Sequence, residues 1–439
     1  MMLNNWVQQL LADIERLTLG YESVILAVTV LIGLVTIIFF IVVWSYVDPY
    51  EKAINELQTQ NRQYPLASLF VAVRNDEKLI LDCVESMIGQ TYKKREIFVI
   101  DDASEDNTAN ILRENFEDNP EVNLIYLREN VGKKKALAKA IEKSKGEIFA
   151  FTDSDSIWEK DAIEKIVTIF ENEPGVGAIS GHCNATNAET NILTRIQDLW
   201  YEKQYRLRKG FESVFGSVSC VSGPLACYRR AAVYNYIPKW ENDTFLGKEF
   251  RFATDRTMTG FVLGGSTLGP KIKENYSESS FVKDEQYPNK NWNIVYSRST
   301  RVKTMVPETL SRIISQRIRW NKSFIRNIFF TGKFYWQRPL IPALYYYLHI
   351  LYVFAAPILI IWFIGTLLLN NYLLLLTVAF MGYVLLSPLM NLALTREKRW
   401  RLESVLNLIY QLFLPFLLLY SLVTIRNMDW SRTKPKEVK

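Results

Sequence analysis

Histidine and cysteine are scarce in this sequence. Its 439 residues include two histidines, His182 and His349, and four cysteines, none of which forms a C-x-x-C pair. So little histidine nearly excludes a Ser-His-Asp triad or a metal site built from several histidines, and any general base is therefore expected to be a carboxylate. Scattered cysteines argue against a structural zinc site and predict reduced thiols in a cytosolic domain.

A strong excess of positive charge is also missing. The 52 lysines and arginines are dispersed and are opposed by 46 acids, which leaves a net charge of +6. A nucleic-acid-binding protein would carry a basic patch or stripe instead, so no nucleic acid partner is expected. What the sequence does contain is long apolar runs near both ends and a mixed region between them.

The first apolar run, residues 23–46, carries no charge and is long enough to cross a bilayer as one helix. We predict a transmembrane helix over residues 22–46, preceded by a short amphipathic segment over residues 1–21. Acids outnumber bases in front of the run, so the positive-inside rule places the N-terminus outside and the following residues in the cytosol. A cleaved signal peptide would have a shorter core behind a basic segment.

The second apolar region is near the C-terminus. Leu340–Leu369 and Tyr372–Leu394 are each long enough to span a membrane. Ser404–Ile425 is flanked by basic residues and interrupted by Pro415, so it is either a third span or a re-entrant segment. The chain would then be a multi-pass protein of the plasma membrane that ends in a basic tail, residues 426–439.

Residues 305–338 alternate apolar and basic side chains at helical spacing. Helices of this composition lie at membrane surfaces, and their position just before the spans favours that interpretation. The alternative is an ordinary helix that faces the core of the soluble part. Lipid is therefore an expected partner of this segment.

Residues 47–304 have the composition of a soluble domain in which apolar strand candidates alternate with helical patterns. Such alternation predicts an α/β fold with a mostly parallel, doubly wound sheet. The strand candidates are Leu66–Ala72, Ile97–Ile100, Val122–Leu127, Ile148–Phe151 and Val176–Ser180.

Two carboxylates, Asp153 and Asp155, follow the fourth strand candidate directly. Residues two apart on a strand share a face, and open α/β sheets bind ligands at this end of their strands. Two neighbouring carboxylates repel unless a cation lies between them, and a hard divalent metal that carries a phosphate is the usual solution. A pair of surface acids in a turn explains the same residues equally well.

The ends of the earlier strands also carry polar groups. Val73, Asn75 and Glu77 follow the first strand, and Asp102 follows the second. Carboxylates there can accept hydrogen bonds from a base and a ribose, although helix N-caps explain such residues too. Lys133 then begins three consecutive lysines at a helix start, where basic residues oppose the helix dipole, so a bound anion such as a diphosphate is indicated; a solvated charge run is the alternative.

Three later motifs complete the set. Ser222-Gly223-Pro224 is a tight turn that can bring backbone close to a sugar. Asp255 begins a helical stretch beside an arginine, either as a surface ion pair or as a general base. Gln316, Arg319 and Trp320 lie at i, i+3 and i+4, so one helix presents an amide, a cation and a flat aromatic ring on neighbouring faces. The indole ring of Trp320 offers a flat surface on which a sugar can stack.

Together and in this order, these motifs resemble the family 2 inverting glycosyltransferases, and more narrowly the membrane-integrated processive synthases of hyaluronan, chitin, poly-N-acetylglucosamine and cellulose. Residues 193–198 and 319–324 are similar to hyaluronan synthases in particular, and the likeness covers roughly residues 65–432. The resemblance implies a GT-A-type, Rossmann-like mixed sheet with helices on both faces, inserted between transmembrane helices. Residues 265–290 look like an inserted loop relative to the streptococcal-type synthases.

The same resemblance implies roles for the site residues. The UDP-sugar would contact Val73, Asn75, Glu77, Asp102, Lys133, Asp153 and Arg319. The metal, Mg²⁺ or Mn²⁺, would bind Asp153 and Asp155, the base would be Asp255, and the acceptor would meet Gln316, Trp320, Ser222, Gly223 and Pro224. The partners would be UDP-GlcNAc, UDP-GlcA or related UDP-sugars and the growing polysaccharide chain.

The departures from the family pattern concern the product more than the reaction. Thr254 stands where the family usually has another acid, and Val221 stands where hyaluronan synthases tend to carry a cysteine. The leading hypothesis is a hyaluronan polymerase. The alternatives are a homopolymer synthase for chitin or poly-N-acetylglucosamine, a non-processive transferase that acts on a lipid carrier, and a membrane scaffold with a degenerate transferase domain.

Overall fold

The structure is a computed structural model that describes residues 7–9, 11, 12, 15, 34–56, 64–369 and 415–427. Most of the predicted spans over residues 372–394 and 404–425, most of the amphipathic segment over residues 1–21 and the basic tail lie outside the described residues. The part between residues 64 and 369 is continuous, and it holds every predicted site residue.

An eight-stranded sheet forms the centre of the fold, in the order β3-β2-β1-β4-β7-β6-β10-β5. Neighbours among β1, β2, β3 and β4 are parallel, because helices return the chain to the same edge after each strand. The strands are β1 (Ala67–Val73), β2 (Arg95–Asp101), β3 (Val122–Tyr126), β4 (Ile148–Thr152), β5 (Ser156–Trp158), β6 (Val176–Ala185), β7 (Ala226–Arg229) and β10 (Asn293–Thr304). A separate two-stranded ribbon joins β8 (Thr244–Phe245) to β9 (Lys248–Glu249).

The other half of the sheet is mixed rather than mostly parallel. Strand β7 is antiparallel to both β4 and β6, and β5 is antiparallel to β10, while β10 and β6 are parallel. The five predicted strands are all present. The three additional strands were not predicted, because two of them are only three and four residues long and β10 alternates with polar residues.

Helices of the described chain connect these strands and extend beyond them. The apolar faces of the first crossover helices are buried, as at Ile80, Val84 and Leu137. The helices are α1 (Leu34–Trp44), α2 (Pro49–Glu56), α3 (Ile80–Ile88), α4 (Thr108–Phe116), α5 (Lys133–Lys143), α6 (Ala162–Asn172), α7 (Ile192–Lys203), α8 (Gly210–Val214), α9 (Arg230–Val233), α10 (Ile237–Glu241), α11 (Thr254–Leu263), α12 (Gly265–Asn275), α13 (Ser280–Lys283), α14 (Leu310–Thr331) and α15 (Leu340–Leu369).

The sequence predicts an inserted loop over residues 265–290, but the structure shows helices there. Helices α12 and α13 occupy much of this segment, and Pro270 lies within α12. Gly265 and Gly269 bring the first of these helices against Tyr236, whose phenol oxygen would lie about 3 Å from an added Cβ at either glycine. The Lys, Glu and Ser content of this segment favours a loop, yet several of its apolar residues, among them Ile272, Phe281 and Val282, are buried and hold the helices in place.

Within the described residues, α15 contains a stretch long and apolar enough to cross a membrane, Leu340–Ile358. Helices α1 and α2 together pass the same test but are bent by 40°. Trp44 is 89% exposed and Trp336 is 65% exposed, so both present large indole rings outward near these helices. Residues 415–423 are also helical. Length and composition are therefore compatible with membrane insertion at both ends of the described chain.

Candidate active site

The predicted nucleotide-site residues lie where β1 and β2 end side by side. Val73 pairs with Asp101 across the two strands, so the turns that follow are neighbours. Asn75 and Ala103 have φ of 53° and 56°, left-handed values that bend each chain sharply away from its strand. The turns then interlock, because the Glu105 amide donates to the Asn75 side chain at 2.7 Å.

Within these turns, the exposure of the predicted residues differs. Asn75 and Glu77 are exposed, and the Glu77 carboxylate accepts from the Asn107 amide at 3.0 Å. Val73 is buried, so only its backbone could meet a ligand, and its carbonyl already accepts from the Asp102 amide at 2.9 Å. The two strand ends are thus held together before any ligand arrives.

Asp102 supports the loop in front of α5. Its two carboxylate oxygens accept from the Val131 and Gly132 amides at 2.8 and 2.9 Å. Burial raises the pKa of Asp102, against the effect of these two hydrogen bonds. Gly132 has a φ of 87°, which the glycine adopts without a Cβ penalty. Asp102 therefore positions the start of α5, and its predicted contact with a nucleoside stays a prediction.

Each lysine of the run at the start of α5 contacts a carboxylate. Lys133 contacts Asp153, Lys134 binds Asp243 at 2.7 Å, and Lys135 binds Glu249 at 2.8 Å. The expected bound anion is thus partly replaced by side chains of the protein itself. Only Lys133 reaches the end of β4, where its ammonium also lies 3.4 Å from the Thr152 carbonyl oxygen.

Asp153 and Asp155 lie at the carboxyl end of β4, as the strand pattern predicts. Asp153 is partly exposed, and an added Cβ at Gly223 would lie 2.8 Å from its Oδ2. Asp155 accepts a hydrogen bond from the Thr304 hydroxyl at 2.9 Å, because β10 pairs with β5 immediately beyond it. Within the described ranges, no group of three or more His, Cys, Asp or Glu side chains is arranged to hold a metal.

Asp255 lies in the first turn of α11. This helix begins directly after Ala253, whose φ is 59°. Its Oδ1 accepts from the Arg256 amide at 2.8 Å, and its Oδ2 lies 3.7 Å from the Cys220 thiol. Cys220 comes two residues before Ser222, so the predicted base lies beside the Ser-Gly-Pro turn. The carboxylate is partly buried and is held by its own helix terminus.

Trp320, one of the predicted acceptor residues of α14, belongs to an aromatic cluster. The Trp320 ring stacks on Trp200 and Tyr201, with centroids 5.9 and 6.3 Å apart. Arg317 lies over the Trp200 ring at 4.0 Å. Gln316 Oε1 is buried and has no hydrogen-bond partner among the residues that the structure describes, which suits a group that awaits a ligand.

Helix α14 also packs on the helix that carries the predicted base. Phe330 contacts Phe261 edge to face at 5.2 Å, and it lies so close to Gly260 that an added Cβ there would clash with it. Arg319 is partly exposed on the same helix as Trp320. The aromatic cluster and Asp255 are therefore fixed on two helices in direct contact.

Sequence reasoning missed several residues that support this site. Thr304 orients Asp155, and Asp243 joins Lys134 to Arg326 through two buried ion pairs. The buried ammonium of Lys209 donates a hydrogen bond to the Ser222 hydroxyl of the Ser-Gly-Pro turn. No local motif marks these positions, because Asp243 and Lys209 lie among other charged residues and Thr304 ends a strand that was not predicted.

Comparisons with known proteins identify the family to which the chain belongs. Residues 68–237 match the family model described as Glycosyl transferase family 2. Over 385 residues the chain is 30% identical to a hyaluronan synthase of Streptococcus pyogenes, with 84% of each protein covered. It is also 30% identical over 273 residues to an N-acetylglucosaminyltransferase of Rhizobium meliloti (strain 1021), with 62% of this chain and 58% of that protein covered.

Among solved structures, the chain is similar to the mannosyltransferase PcManGT from Pyrobaculum calidifontis in complex with GDP-Man and Mn²⁺. The TM-score is 0.50 at 18% identity, and the match covers 91% of this chain and 97% of that one. At this identity the likeness concerns the fold alone, a mixed α/β sheet of the GT-A type. With the streptococcal relative aligned over most of both proteins, the chain belongs to glycosyl transferase family 2 and is a glycosyltransferase.

Proposed function

We propose that this glycosyltransferase is a membrane-embedded, processive, inverting enzyme that polymerises UDP-GlcNAc and UDP-GlcA to hyaluronan and extrudes the polymer through its own membrane channel. The observation that carries the proposal is the Ser222-Gly223-Pro224 turn. Its Gly223 lies against Asp153, and Cys220, two residues before the turn, contacts Asp255. A donor carboxylate and a base thus flank one narrow turn.

The donor end of the site would hold the UDP-sugar. Lys133 and Arg319 would bind the diphosphate, and the exposed Asn75 and Glu77 with the second strand end would meet the nucleoside. The oxygens of Asp153 and Asp155 suit Mg²⁺ or Mn²⁺, because a hard cation takes one or two carboxylates together with substrate phosphates. The space that Gly223 keeps free beside Asp153 supports this assignment. The cation would stabilise the negative charge of the departing UDP.

At the acceptor end, Asp255 would remove the proton from the attacking hydroxyl. The acceptor oxygen then forms a bond to the anomeric carbon while the bond to the phosphate oxygen breaks, and UDP leaves with that electron pair. One displacement inverts the configuration and needs one carboxylate. Gln316 and Trp320 would bind the end of the chain, with the ring stacked on a sugar and the buried amide oxygen accepting a hydroxyl.

The membrane part would surround the path of the product. Residues 22–46 and 340–425 would supply the spans, residues 47–304 the cytosolic catalytic domain, and residues 305–338 the interface helices. The apolar length of α15 and the outward indoles of Trp44 and Trp336 support this arrangement. The N-terminus would lie outside and the catalytic domain in the cytosol.

Donor screening of the full-length purified protein tests the proposal. With Mg²⁺ or Mn²⁺, the pair UDP-GlcNAc and UDP-GlcA is expected to give a long polymer that hyaluronidase digests, and either donor alone is expected to give none. Long product from UDP-GlcNAc alone, digested by chitinase, would replace hyaluronan with a homopolymer. Turnover of no UDP-sugar would reject the proposal.

A homopolymer of N-acetylglucosamine is the second candidate. It is favoured by the likeness to the Rhizobium N-acetylglucosaminyltransferase and by Val221, which stands where hyaluronan synthases tend to carry cysteine. A non-processive transferase on a lipid carrier would yield short, lipid-linked product in the same experiment. Product length and extraction into organic solvent separate these outcomes.

A further inference from the structure

A lysine with no predicted role lies beneath the Ser-Gly-Pro turn. Lys209 ends a π-helical segment, Gln204–Lys209, and its side chain is buried. Segments of π-helix are rare and occur often at functional sites, since the extra residue turns a side chain out of the regular helical register. Here the chain directs this lysine towards the turn between Asp153 and Asp255.

The ammonium of Lys209 joins two separate parts of the fold. It donates to the Ser222 hydroxyl at 2.5 Å and to the Ser180 hydroxyl, on β6, at 2.7 Å. It also lies over the Tyr205 ring, 4.1 Å from the centroid. The Ser222 amide in turn lies 3.4 Å from the Ser180 hydroxyl. One cation therefore ties the turn to a central strand of the sheet.

No carboxylate among the described residues lies within ion-pair distance of this ammonium, whose polar partners are the two hydroxyls. A buried charge without a counterion is costly, and an apolar side chain of equal volume would fill the same space without that cost. Burial lowers the pKa of Lys209 to about 8, and nearby acidic groups, among them the carboxylates of Asp255 and Glu212, act in the opposite direction. The position therefore calls for a cation for a reason other than packing.

We propose that Lys209 is a positioning residue that holds the Ser222-Gly223-Pro224 turn between the donor carboxylate Asp153 and the base Asp255. By fixing the position of this turn, it fixes the geometry of the acceptor-binding end of the site. This inference rests on the proposed function, since that function assigns the turn to the acceptor. Because the ammonium can only donate, Ser222 and Ser180 are fixed as its acceptors.

The test compares Lys209→Met, Lys209→Arg and Ser180→Ala in the full-length protein. With saturating UDP-GlcA and varied N-acetylglucosamine as acceptor, Lys209→Met is expected to raise the acceptor KM by about tenfold or more, the loss of a charged hydrogen bond. Its Kd for UDP with Mn²⁺ is expected to change less than about twofold, because the donor side retains its own contacts. Ser180→Ala is expected to have a smaller effect of the same kind, and Lys209→Arg is expected to restore most of the acceptor affinity.

A matched control is Lys203→Met, which removes a half-buried lysine from the same stretch of chain without touching the turn. Lys203→Met should leave the acceptor KM and the Kd for UDP unchanged. An unchanged acceptor KM in Lys209→Met would overturn the proposal. So would an equal loss of acceptor and UDP affinity, since that pattern marks a general structural role.

A second measurement is independent of turnover. Cys220 is partly exposed, whereas Cys83, Cys183 and Cys227 are buried, so alkylation of the folded protein reports on the chain next to the turn. Its rate at pH 7, where Lys209 is charged, is divided by the thiolate fraction obtained by titrating the Cys220 thiol in each protein. This rate per thiolate is expected to rise in Lys209→Met and Ser180→Ala but not in Lys203→Met. An unchanged alkylation rate per thiolate of Cys220 in Lys209→Met would contradict the positioning role, even if no UDP-sugar were turned over. Inactivity of the wild-type protein towards all UDP-sugars would reject only the proposed function.

Discussion

At the scale of single residues, Asp255 carries the sharpest expectation. Asp255→Asn keeps the size of the side chain and its hydrogen bond from the Arg256 amide, but removes the basic oxygen. We expect polymerisation to fall by about 10²- to 10⁴-fold, the range for loss of a general base. The Kd for UDP should be unchanged, because this residue lies on the acceptor side of the Ser-Gly-Pro turn. Initial rates and UDP calorimetry measure both quantities.

The control for this variant is Asp284→Asn, which changes an exposed acid beyond the end of α13. It should retain full activity. If Asp255→Asn were as active as the wild type, the base would be a different group. The partly buried Asp255 carboxylate would then serve only to begin α11.

Gly223 offers a second test at this scale, of the donor side. In Gly223→Ala the new Cβ would lie 2.8 Å from Asp153 Oδ2, and the carboxylate, as the end of a side chain, would move aside. We expect the affinity for UDP with Mn²⁺ to fall by about 10- to 100-fold, while the melting temperature changes little. Gly175→Ala is the control, because its nearest neighbour is the Asn293 amide at 3.7 Å. Unchanged UDP affinity in Gly223→Ala would remove Asp153 from the donor site.

Residue types and spacing predicted which side chains lie at the strand ends, but not their partners. The alternation of a strand was enough to place Asp153 and Asp155 at one edge. It could not show that Asp102 would bind two backbone amides or that Lys133 would contact Asp153, because those contacts join positions about 20 to 30 residues apart. Long-range contacts depend on the register of the strands, which a single sequence does not encode locally.

At the scale of secondary structure, the predictable part of the fold was the part with local periodicity. Strands β1 and β4 are almost continuous apolar runs, as expected for strands buried on both faces, and the helices beside them have one apolar face. Strand β10 pairs at both of its edges, yet it alternates polar and apolar residues and has a bulge after Ser297, so it was missed. Its end supplies Thr304, which orients Asp155.

The buried acid Asp243 joins three elements and yields a prediction at this scale. It binds Lys134 of α5 and Arg326 of α14, and it accepts from Thr257 of α11 at 3.2 Å. Asp243→Asn would leave two cations buried without a counterion. We expect a loss of about 3 to 5 kcal/mol in the free energy of unfolding. Donor binding should also weaken, because Lys134 is the neighbour of Lys133, which contacts Asp153. Thermal unfolding in detergent and UDP calorimetry measure the two effects.

The stability deficit of Asp243→Asn should shrink as the pH rises from 7 to 9. Burial lowers the pKa of Lys134 to about 8 in the folded protein, and removal of the acid lowers it further. Between the folded pKa and the ordinary value near 10.5 the unfolded chain binds more protons than the folded one, so stability rises with pH. This range begins at a lower pH in the variant, which therefore gains stability relative to the wild type up to about pH 8, and above that pH the two rise in parallel. Glu189→Gln, which breaks an exposed pair with Arg195, is the control and should cost about 1 kcal/mol or less at any pH. A deficit that grows with pH would contradict this account.

At the scale of the whole molecule, helix α1, which is part of the predicted first span, and the central sheet meet at Asp48. This residue is fully buried between α1 and α2. It accepts hydrogen bonds from the Tyr50 amide at 2.9 Å, from the Arg298 amide at 2.6 Å and from the Ser299 amide at 2.9 Å. Tyr46 adds a bond to the Tyr296 carbonyl at 2.8 Å. The bulge of β10 is thus attached to the point where α1 and α2 bend.

This attachment matters because β10 extends from the bend between α1 and α2 to the candidate active site. One part of the strand binds Asp48, and its last residue orients Asp155. A displacement of the predicted first span would therefore act on the predicted metal site through a single strand. We infer that this connection keeps the catalytic domain and the predicted channel in fixed register during chain growth.

Asp48→Ala tests this connection. The substitution leaves several buried amides and hydroxyls without an acceptor, so we expect a loss of about 3 kcal/mol or more in stability and shorter polymer at equal total turnover. Melting temperature and product length on agarose gels are the measurements. Glu51→Ala is the matched control, since Glu51 is exposed three residues further on and pairs with Arg298 only at the surface, at 3.7 Å. Polymer of wild-type length from a destabilised Asp48→Ala protein would show that the attachment supports folding but not chain growth, because the two ends of β10 would then act independently.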